Sequence, residues 1–243
     1  DSGDKEKVSY TKDNLGGNSM IGVSIACAKV AARVTHQKVY EYLQTLAEIK
    51  PSRKVPYLFM NMLEGGKHAS DKLLAFQEYH IVPETTDIKE AVDIGIKIQN
   101  TLKEIILKDL GESSIVLGDE GGFAPKTNDV RKPLFYLTKA IKKNNLQNKI
   151  LLSLDIAASS FYENNIYKIA DEDVTKEELT KLYGSLITEF NLFSIEDPFN
   201  EEDFDSFKEL KNKNKNLLIV GDDLTVSNKV LLKQAIAKDS ISA

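Results

Sequence analysis

The fold class is indicated first by a short apolar segment that ends on a carboxylate, Ile150-Leu151-Leu152-Ser153-Leu154-Asp155. Two later segments have the same form, Leu192-Phe193-Ser194-Ile195-Glu196 and Leu217-Leu218-Ile219-Val220-Gly221-Asp222. Short apolar runs bounded by turn residues are typical of buried strands, and the stretches between these three have helical patterns. The sequence therefore predicts successive parallel βα units.

The three carboxylates at the ends of these runs predict a metal site. Parallel neighbours bring their C-terminal ends together, so we expect Asp155, Glu196 and Asp222 to lie close to one another. Three acids in one place repel each other unless a cation lies among them, and hard oxygen ligands suit Mg²⁺. Each acid taken alone could instead cap the helix that follows it. The trio favours the metal site, because a buried charge without compensation costs several kcal/mol.

The bulk composition is that of an ordinary globular protein, with 243 residues, 42% hydrophobic and 28% charged. The formal net charge of −5 argues against a nucleic-acid surface, and lysines and acids are interspersed along the chain. Cys27 is the single cysteine, so no internal disulfide can form. Together with the lack of a secretory leader, this predicts a cytoplasmic protein.

The N-terminal part of the sequence predicts two helices. The first spans about residues 18–33, with Asn18 or Ser19 as its cap, and the second spans about residues 39–49. The mostly apolar stretch from 20 to 32 is too short to cross a bilayer, so we expect a buried helix there and no membrane association.

A charged stretch that contains proline, Lys50-Pro51-Ser52-Arg53-Lys54, predicts a linker. We expect a mostly helical domain at residues 1–52 and a larger domain at residues 53–243. Further elements of the larger domain are predicted as strands at 55–63 and 76–82, a helix capped by Asp87 with Glu90 as the reciprocal acid, a helix with Val130, Leu134, Leu137 and Ile141 on one face, and helices starting near 175, 200 and 227.

Five strands with intervening helices predict the fold class α/β, in the form of an incomplete TIM-like barrel. A complete eight-stranded α/β barrel usually needs about 250 residues by itself. We therefore expect residues 53–243 to hold the N-terminal part of such a barrel.

Two loops carry further candidate residues. Glu120 lies between glycines, where the backbone can bring a carboxyl group against a ligand, although such a loop can equally be a solvated turn. His68 follows two glycines and a lysine and precedes Glu78, so an imidazole and a carboxylate flank one flexible loop. His36 and His80 are expected to be surface or packing residues.

Several ordered motifs resemble those of the enolase family over nearly the whole chain. Two of them are Gly118-Asp119-Glu120-Gly121-Gly122-Phe123-Ala124-Pro125 and Ser194-Ile195-Glu196-Asp197-Pro198-Phe199. The others lie at residues 18–24, 61–69, 77–78, 154–159 and 221–226. The resemblance implies an α+β N-terminal domain, of which residues 1–52 would be the helical remainder, and a modified eight-stranded barrel.

The resemblance also implies a reaction, the Mg²⁺-dependent dehydration of 2-phosphoglycerate to phosphoenolpyruvate, and a homodimeric complete protein. It assigns Asp155, Glu196 and Asp222 as Mg²⁺ ligands, and Glu78, Glu196 and Asp222 also border the substrate. It assigns Glu120 as the acid that protonates the leaving hydroxyl, with Glu78 supporting it and His68 facing the substrate. The family uses a lysine to remove the carbon-bound proton, while Mg²⁺ stabilises the ene-diolate.

The sequence departs from the family pattern at both ends. The serine loop that closes over the substrate would precede Asp1, and the basic lysine would follow Ala243. We therefore expect a fragment that binds Mg²⁺ weakly at best and does not turn over. A naturally shortened, non-catalytic relative that acts as a binding or assembly partner is the alternative. Another barrel enzyme of the superfamily, such as a sugar-acid dehydratase, fits the acid trio but not the two motifs quoted in full.

Overall fold

The computed structural model describes residues 15–48, 50, 52, 54–69 and 73–243, and the chain divides into two compact units, Asp1–Val55 and Pro56–Ala243. The described α-helices are α1 Gly17–Val34, α2 Val39–Ala47, α3 Ile88–Leu110, α4 Lys132–Lys143, α5 Lys176–Phe190, α6 Phe204–Lys213 and α7 Lys229–Lys238. The described strands are β1 Met60–Glu64, β2 Glu78–Pro83, β3 Ile150–Asp155, β4 Tyr162–Glu163, β5 Ile166–Ile169, β6 Glu172–Val174, β7 Leu192–Glu196 and β8 Leu218–Val220. Short 3₁₀ helices occur at Glu112–Ser114 and Ala158–Phe161.

The smaller unit contains α1 and α2, which pack against each other. The predicted cap at Asn18 or Ser19 is wrong: the cap is Gly16, with a φ of 80°, and both predicted residues lie in the first turn. The expectation of a buried helix is also wrong, since Ala32 is the one buried residue of α1 and Val23 is 64% exposed. Apolar composition indicates a face that can be buried, but it does not supply the partner that buries it.

The larger unit is built on a five-stranded sheet with the order β1-β2-β3-β7-β8. Strands β1 and β3 run antiparallel to β2, whereas β3, β7 and β8 are parallel to one another. The prediction that the three acid-ended runs are parallel strands is therefore confirmed. The carboxyl ends of β1, β3, β7 and β8 meet at one edge of this sheet, together with the amino end of β2.

Helices cover one face of the sheet, and the hydrophobic core of the larger unit is formed by side chains of these helices and of the strands. Helices α3 and α4 pack on β2, α5 packs on β7, and α6 packs on β8. Ile81 of β2 and Leu154 of β3 are fully buried, and burial of such a side chain stabilises the fold by about 1.5–3 kcal/mol. The predicted apolar face of α4 is confirmed, because Leu134, Leu137 and Ile141 are all buried.

Helix starts follow the predicted capping signals in part. The Asp87 carboxylate accepts hydrogen bonds from the backbone N–H groups of Lys89 and Glu90, as predicted. The prediction that Glu90 completes the cap by binding the backbone N–H of Asp87 is wrong. Its carboxylate instead accepts a hydrogen bond of 2.6 Å from the Thr85 hydroxyl. At α5, Thr175 and Glu178 form a complete capping box.

The first strands are shorter than predicted, and a second sheet lies between β3 and α5. Strand β1 begins at Met60 and β2 at Glu78, so the predicted starts at 55 and 76 are wrong. Strands β4, β5 and β6 form a small antiparallel sheet that the sequence patterns did not indicate. Within the described residues, no helix combines the length and the apolar character that crossing a membrane requires.

Candidate metal centre

Four carboxylates lie in one row across strands β1, β2, β3 and β7, because the sheet register pairs neighbouring members of the set Glu64, Glu78, Asp155 and Glu196. Paired residues point to the same face of a sheet, and neighbouring strands lie about 4.8 Å apart. Like charges that face each other at this spacing destabilise a sheet. The strand ends therefore concentrate negative charge at the edge where the sequence predicts a metal site.

Asp155, Glu196 and Asp197 form a close group of acids along this edge. Each contributes an oxygen atom, and these atoms lie within 4.8 Å of one another. Burial, followed by the negative charge of Glu196, raises the pKa of Asp155 to about 9. Burial, followed by the charges of Asp197 and Asp222, raises the pKa of Glu196 to about 7. The site therefore favours protonated carboxyl groups unless positive charge is supplied.

The donor set of this group fits a divalent cation. Asp155 accepts hydrogen bonds from the Gln77 amide at 3.1 Å and from the Ala157 backbone N–H at 3.0 Å, both of which are neutral donors. The largest charge effects on Asp155 come from Glu196, Glu78 and Asp197, all of which are acids. Carboxylate oxygens whose neighbours are other acids and neutral donors are suited to a hard cation such as Mg²⁺.

Asp222 is exposed and lies in the turn that follows β8, two residues beyond Val220. It does not belong to the group of acids whose oxygens lie within 4.8 Å of one another. Its negative charge is nevertheless close enough to raise the pKa of Glu196. The assignment of Asp222 as the third ligand stays a prediction.

Asp197 is a member of this group that the sequence analysis did not single out. Alternation along a strand would place it on the face opposite to Glu196. Instead, Asp197 follows the last residue of β7 and has a φ of 42°, so the alternation ends there. The sequence Glu196-Asp197-Pro198 partly indicates that the strand ends here, because proline restricts the backbone of the residue before it and ends regular structure.

A second group of titratable side chains lies beside the first. His68 Nδ1 is 3.3 Å from Glu78 Oε1 and 4.0 Å from Glu120 Oε1, so the structure brings together all three residues predicted from the two loops. His80 Nε2 lies 2.6 Å from Glu78 Oε2 and is buried. His80 is a packing residue, one of the two expectations for it, because it is buried and its ring contacts Phe59. It also shares a face of β2 with Glu78, which the sequence analysis did not give as its neighbour.

The two carboxyl groups of this second group differ in their acidity. Burial raises the pKa of Glu78, but the hydrogen bond and the charge of His80, together with smaller effects of Glu120 and His68, outweigh burial and lower the pKa overall. Burial and the neighbouring Glu78 charge raise the pKa of Glu120. Two interacting carboxyl groups whose pKa values move apart are typical of an acid and its supporting base. The geometry suits Glu120 to hold a proton.

The glycine loop that carries Glu120 is held by Glu64. The Glu64 carboxylate accepts hydrogen bonds from Gly122 N at 2.5 Å and from Glu120 N at 3.2 Å. A Cβ atom on Gly118 would lie 2.0 Å from Glu64 Oε2 and 2.8 Å from the backbone carbonyl oxygen of His68, which cannot shift as the end of a side chain can. Glycine is therefore required for the close packing that positions Glu120.

The open five-stranded sheet, the helices on one face and the acidic edge are those of part of an α/β barrel, with a candidate site at the carboxyl ends of its parallel strands. Comparison with known families agrees with this class. Residues 52–243 match the family model "Enolase, C-terminal TIM barrel domain". The chain belongs to the enolase family.

Curated proteins similar to the chain include two enolases. The enolase of Methanocaldococcus jannaschii is 39% identical over 233 residues, which cover 96% of this chain and 54% of that protein. The enolase of Methanococcus aeolicus is 39% identical over 228 residues, which cover 93% of this chain and 52% of that protein. The chain thus spans about half the length of the curated relatives it matches.

Proposed function

We propose that this chain is part of an enzyme that reversibly dehydrates 2-phosphoglycerate to phosphoenolpyruvate in glycolysis and gluconeogenesis. The observation that carries the proposal is the row of carboxylates at the strand ends, with the His68, Glu78 and Glu120 group beside it. Membership of the enolase family and the identity to archaeal enolases support the same reaction.

The proposed metal ligands are Asp155, Glu196 and Asp222. When bound, Mg²⁺ supplies positive charge that offsets the negative charge developing on the substrate as a carbon-bound proton leaves. Glu196 and Asp222 also border the substrate carboxylate in this proposal. The raised pKa values of Asp155 and Glu196 support it, because crowded carboxylates of this kind become ionised when a cation compensates them.

The proposed roles of the second group concern proton transfer at the leaving hydroxyl. Glu120 donates its proton to the departing oxygen, which its raised pKa favours. Glu78 stays ionised beside it, supported by His80, and stabilises the protonated form of Glu120. His68, which lies within 4.0 Å of both carboxylates, faces the substrate.

The remaining parts of the proposal concern the whole protein. We assign residues 1–52 to the N-terminal domain of an enolase and residues 53–243 to the first part of its barrel domain. We also propose a cytoplasmic homodimer. A polypeptide of only these 243 residues should not turn over, because the family's basic lysine would lie on a strand beyond Ala243.

A complementation experiment tests the proposed reaction. The chain is coexpressed with the parts of the Methanocaldococcus jannaschii enolase that precede and follow the matched region, and phosphoenolpyruvate formation is measured with Mg²⁺ and 2-phosphoglycerate. We expect turnover by the complex and none by the chain alone. Glu120→Gln should reduce turnover at least about 100-fold, as expected for loss of a general acid.

Glu172→Gln, which changes an exposed glutamate of β6, is the matched control and should leave turnover unchanged. A folded complex without any turnover would contradict the proposal and would favour the non-catalytic binding partner. Turnover that Glu120→Gln leaves intact would contradict the role of Glu120.

A further inference from the structure

Asp197 makes a dense set of hydrogen bonds at the turn after β7, where it is 2% exposed. Its Oδ2 atom accepts hydrogen bonds from the backbone N–H groups of Asp222 at 3.1 Å and Asp223 at 2.7 Å. Its Oδ1 atom accepts a third, from Leu224 N at 3.3 Å. A single carboxylate therefore binds three consecutive amides of the turn that carries Asp222.

The backbone of Asp197 joins the same turn to the end of β3. Its N–H donates to Val220 O at 3.0 Å, and its carbonyl accepts from Ala158 N at 3.0 Å. The φ of 42° lies in the left-handed region, which residues other than glycine rarely adopt without surrounding contacts. These contacts hold Asp197 between the two loops that follow Asp155 and Val220.

The position of Asp197 fits two roles, a metal ligand or an anchor for the neighbouring turn. One of its oxygens lies within 4.8 Å of oxygens of Asp155 and Glu196, which is close enough to share an ion with them. A ligand would direct a lone pair at the ion. A carboxylate offers about four lone-pair positions. Three of them accept backbone N–H groups at Asp197, one hydrogen bond more than at Asp155, and all three N–H groups belong to the turn that carries Asp222. The hydrogen bonds thus point to an anchor for that turn.

We propose that Asp197 is a positioning residue of the metal centre, which holds the Asp222 carboxylate toward Glu196 through three backbone N–H groups and does not itself bind the ion. The inference rests on the proposed function, since it takes Asp222 as a ligand. Partners that orient a metal ligand typically change metal affinity by about 10–100-fold when they are removed.

A double-mutant cycle with Mn²⁺ as the probe ion tests this role. The free Mn²⁺ is measured by electron paramagnetic resonance in titrations of the chain and of its Asp197→Asn, Asp222→Asn and doubly substituted variants. We expect each single substitution to weaken binding at least about tenfold. The double variant should bind as weakly as Asp222→Asn alone, because an anchor has no further effect once the ligand is lost.

Asp223→Asn is the matched control, since it removes one negative charge from the same turn but leaves the Asp222 carboxylate and the Asp197 anchor in place. We expect it to weaken binding by less than about threefold, the effect of a nearby charge without direct coordination. The inference would be overturned if the double variant lost Mn²⁺ affinity by the product of the two single-variant factors. It would also be overturned if Asp197→Asn bound Mn²⁺ with the affinity of the unsubstituted chain. Absence of Mn²⁺ binding by the unsubstituted chain would overturn the proposed metal centre and the inference with it.

Amide hydrogen exchange in the unsubstituted chain gives a readout that needs no variant to fold. We expect slow exchange at Asp222, Asp223 and Leu224, because each N–H is held by the Asp197 carboxylate. Exchange of these three amides as fast as in an open loop would overturn the inference whatever the variants do.

Discussion

Asp203 fixes the end of the loop that follows the acidic pair Glu196 and Asp197. Its carboxylate accepts hydrogen bonds from the Ser206 backbone N–H at 3.1 Å and from the Ser206 hydroxyl at 2.7 Å, which caps α6. The Lys176 ammonium lies 3.2 Å away at the start of α5. Burial raises the pKa of Asp203, but these partners outweigh burial and lower the pKa overall.

Asp203→Ala should reduce the free energy of unfolding by about 1 kcal/mol near pH 6, the usual cost of a lost cap. Because the pKa is lowered in the folded state, this stabilisation is present above the unfolded pKa of about 3.9 and is lost as the pH falls through the folded pKa. The difference between the two proteins in urea unfolding should therefore shrink at about pH 3. An unchanged difference at low pH would show that the carboxylate charge is not involved.

At the scale of residues, the sequence predicts acids at strand ends but not their partners. Asp155 and Glu196 could be placed because each ends an apolar run. The role of Asp197 depends on register and on contacts with residues distant in the chain, which periodicity does not contain, since Asp197 meets the turn after β8 only once β7 and β8 are paired. The contact between His80 and Glu78 could have been predicted, because alternation along the predicted strand at 76–82 places both side chains on one face.

At the scale of elements, glycines determine how closely loops can pack. Gly65 lies between β1 and β2, in the loop that leads to His68. A Cβ atom there would lie 2.4 Å from Phe76 O and 2.6 Å from Leu74 O. Both contacts are with backbone atoms, which cannot move without disturbing the start of β2.

Gly65→Ala should therefore reduce the free energy of unfolding by about 1–3 kcal/mol, the usual cost of overpacking. Gly184→Ala is the matched control, because Gly184 lies inside α5 and a Cβ there meets no atom within 4 Å. It should stabilise the chain by about 0.5–1 kcal/mol, since alanine restricts the unfolded chain and favours the helix. Equal effects of the two substitutions in chemical unfolding would contradict the described loop.

Elements with strong local signals could be predicted, and those without could not. Helix α5 has a complete capping box at Thr175 and Glu178, and β3 and β7 are apolar runs. The strands of the small sheet are only two to four residues long and mix polar with apolar residues, so no period could be detected in them. The start of β1 at Met60 likewise depends on pairing with β2.

At the scale of the whole molecule, the parallel strands and the acidic edge depend on each other. The sheet brings three strand ends from distant parts of the chain to one place, and the acids at those ends repel each other there. Without a bound cation this edge should destabilise the fold, because buried like charges are costly. Binding of a cation to the folded state alone should reverse this effect.

Thermal unfolding with and without Mg²⁺ tests this central claim most directly. At a Mg²⁺ concentration about 100 times its Kd, the unsubstituted chain should gain about 2.7 kcal/mol of stability, and its midpoint should rise by about 2–4 °C for each kcal/mol. Asp155→Asn should melt at the same temperature or higher without Mg²⁺ and should not respond to it, whereas Glu172→Gln should respond like the unsubstituted chain. An equal Mg²⁺ response in Asp155→Asn, or no response in the unsubstituted chain, would contradict the metal centre.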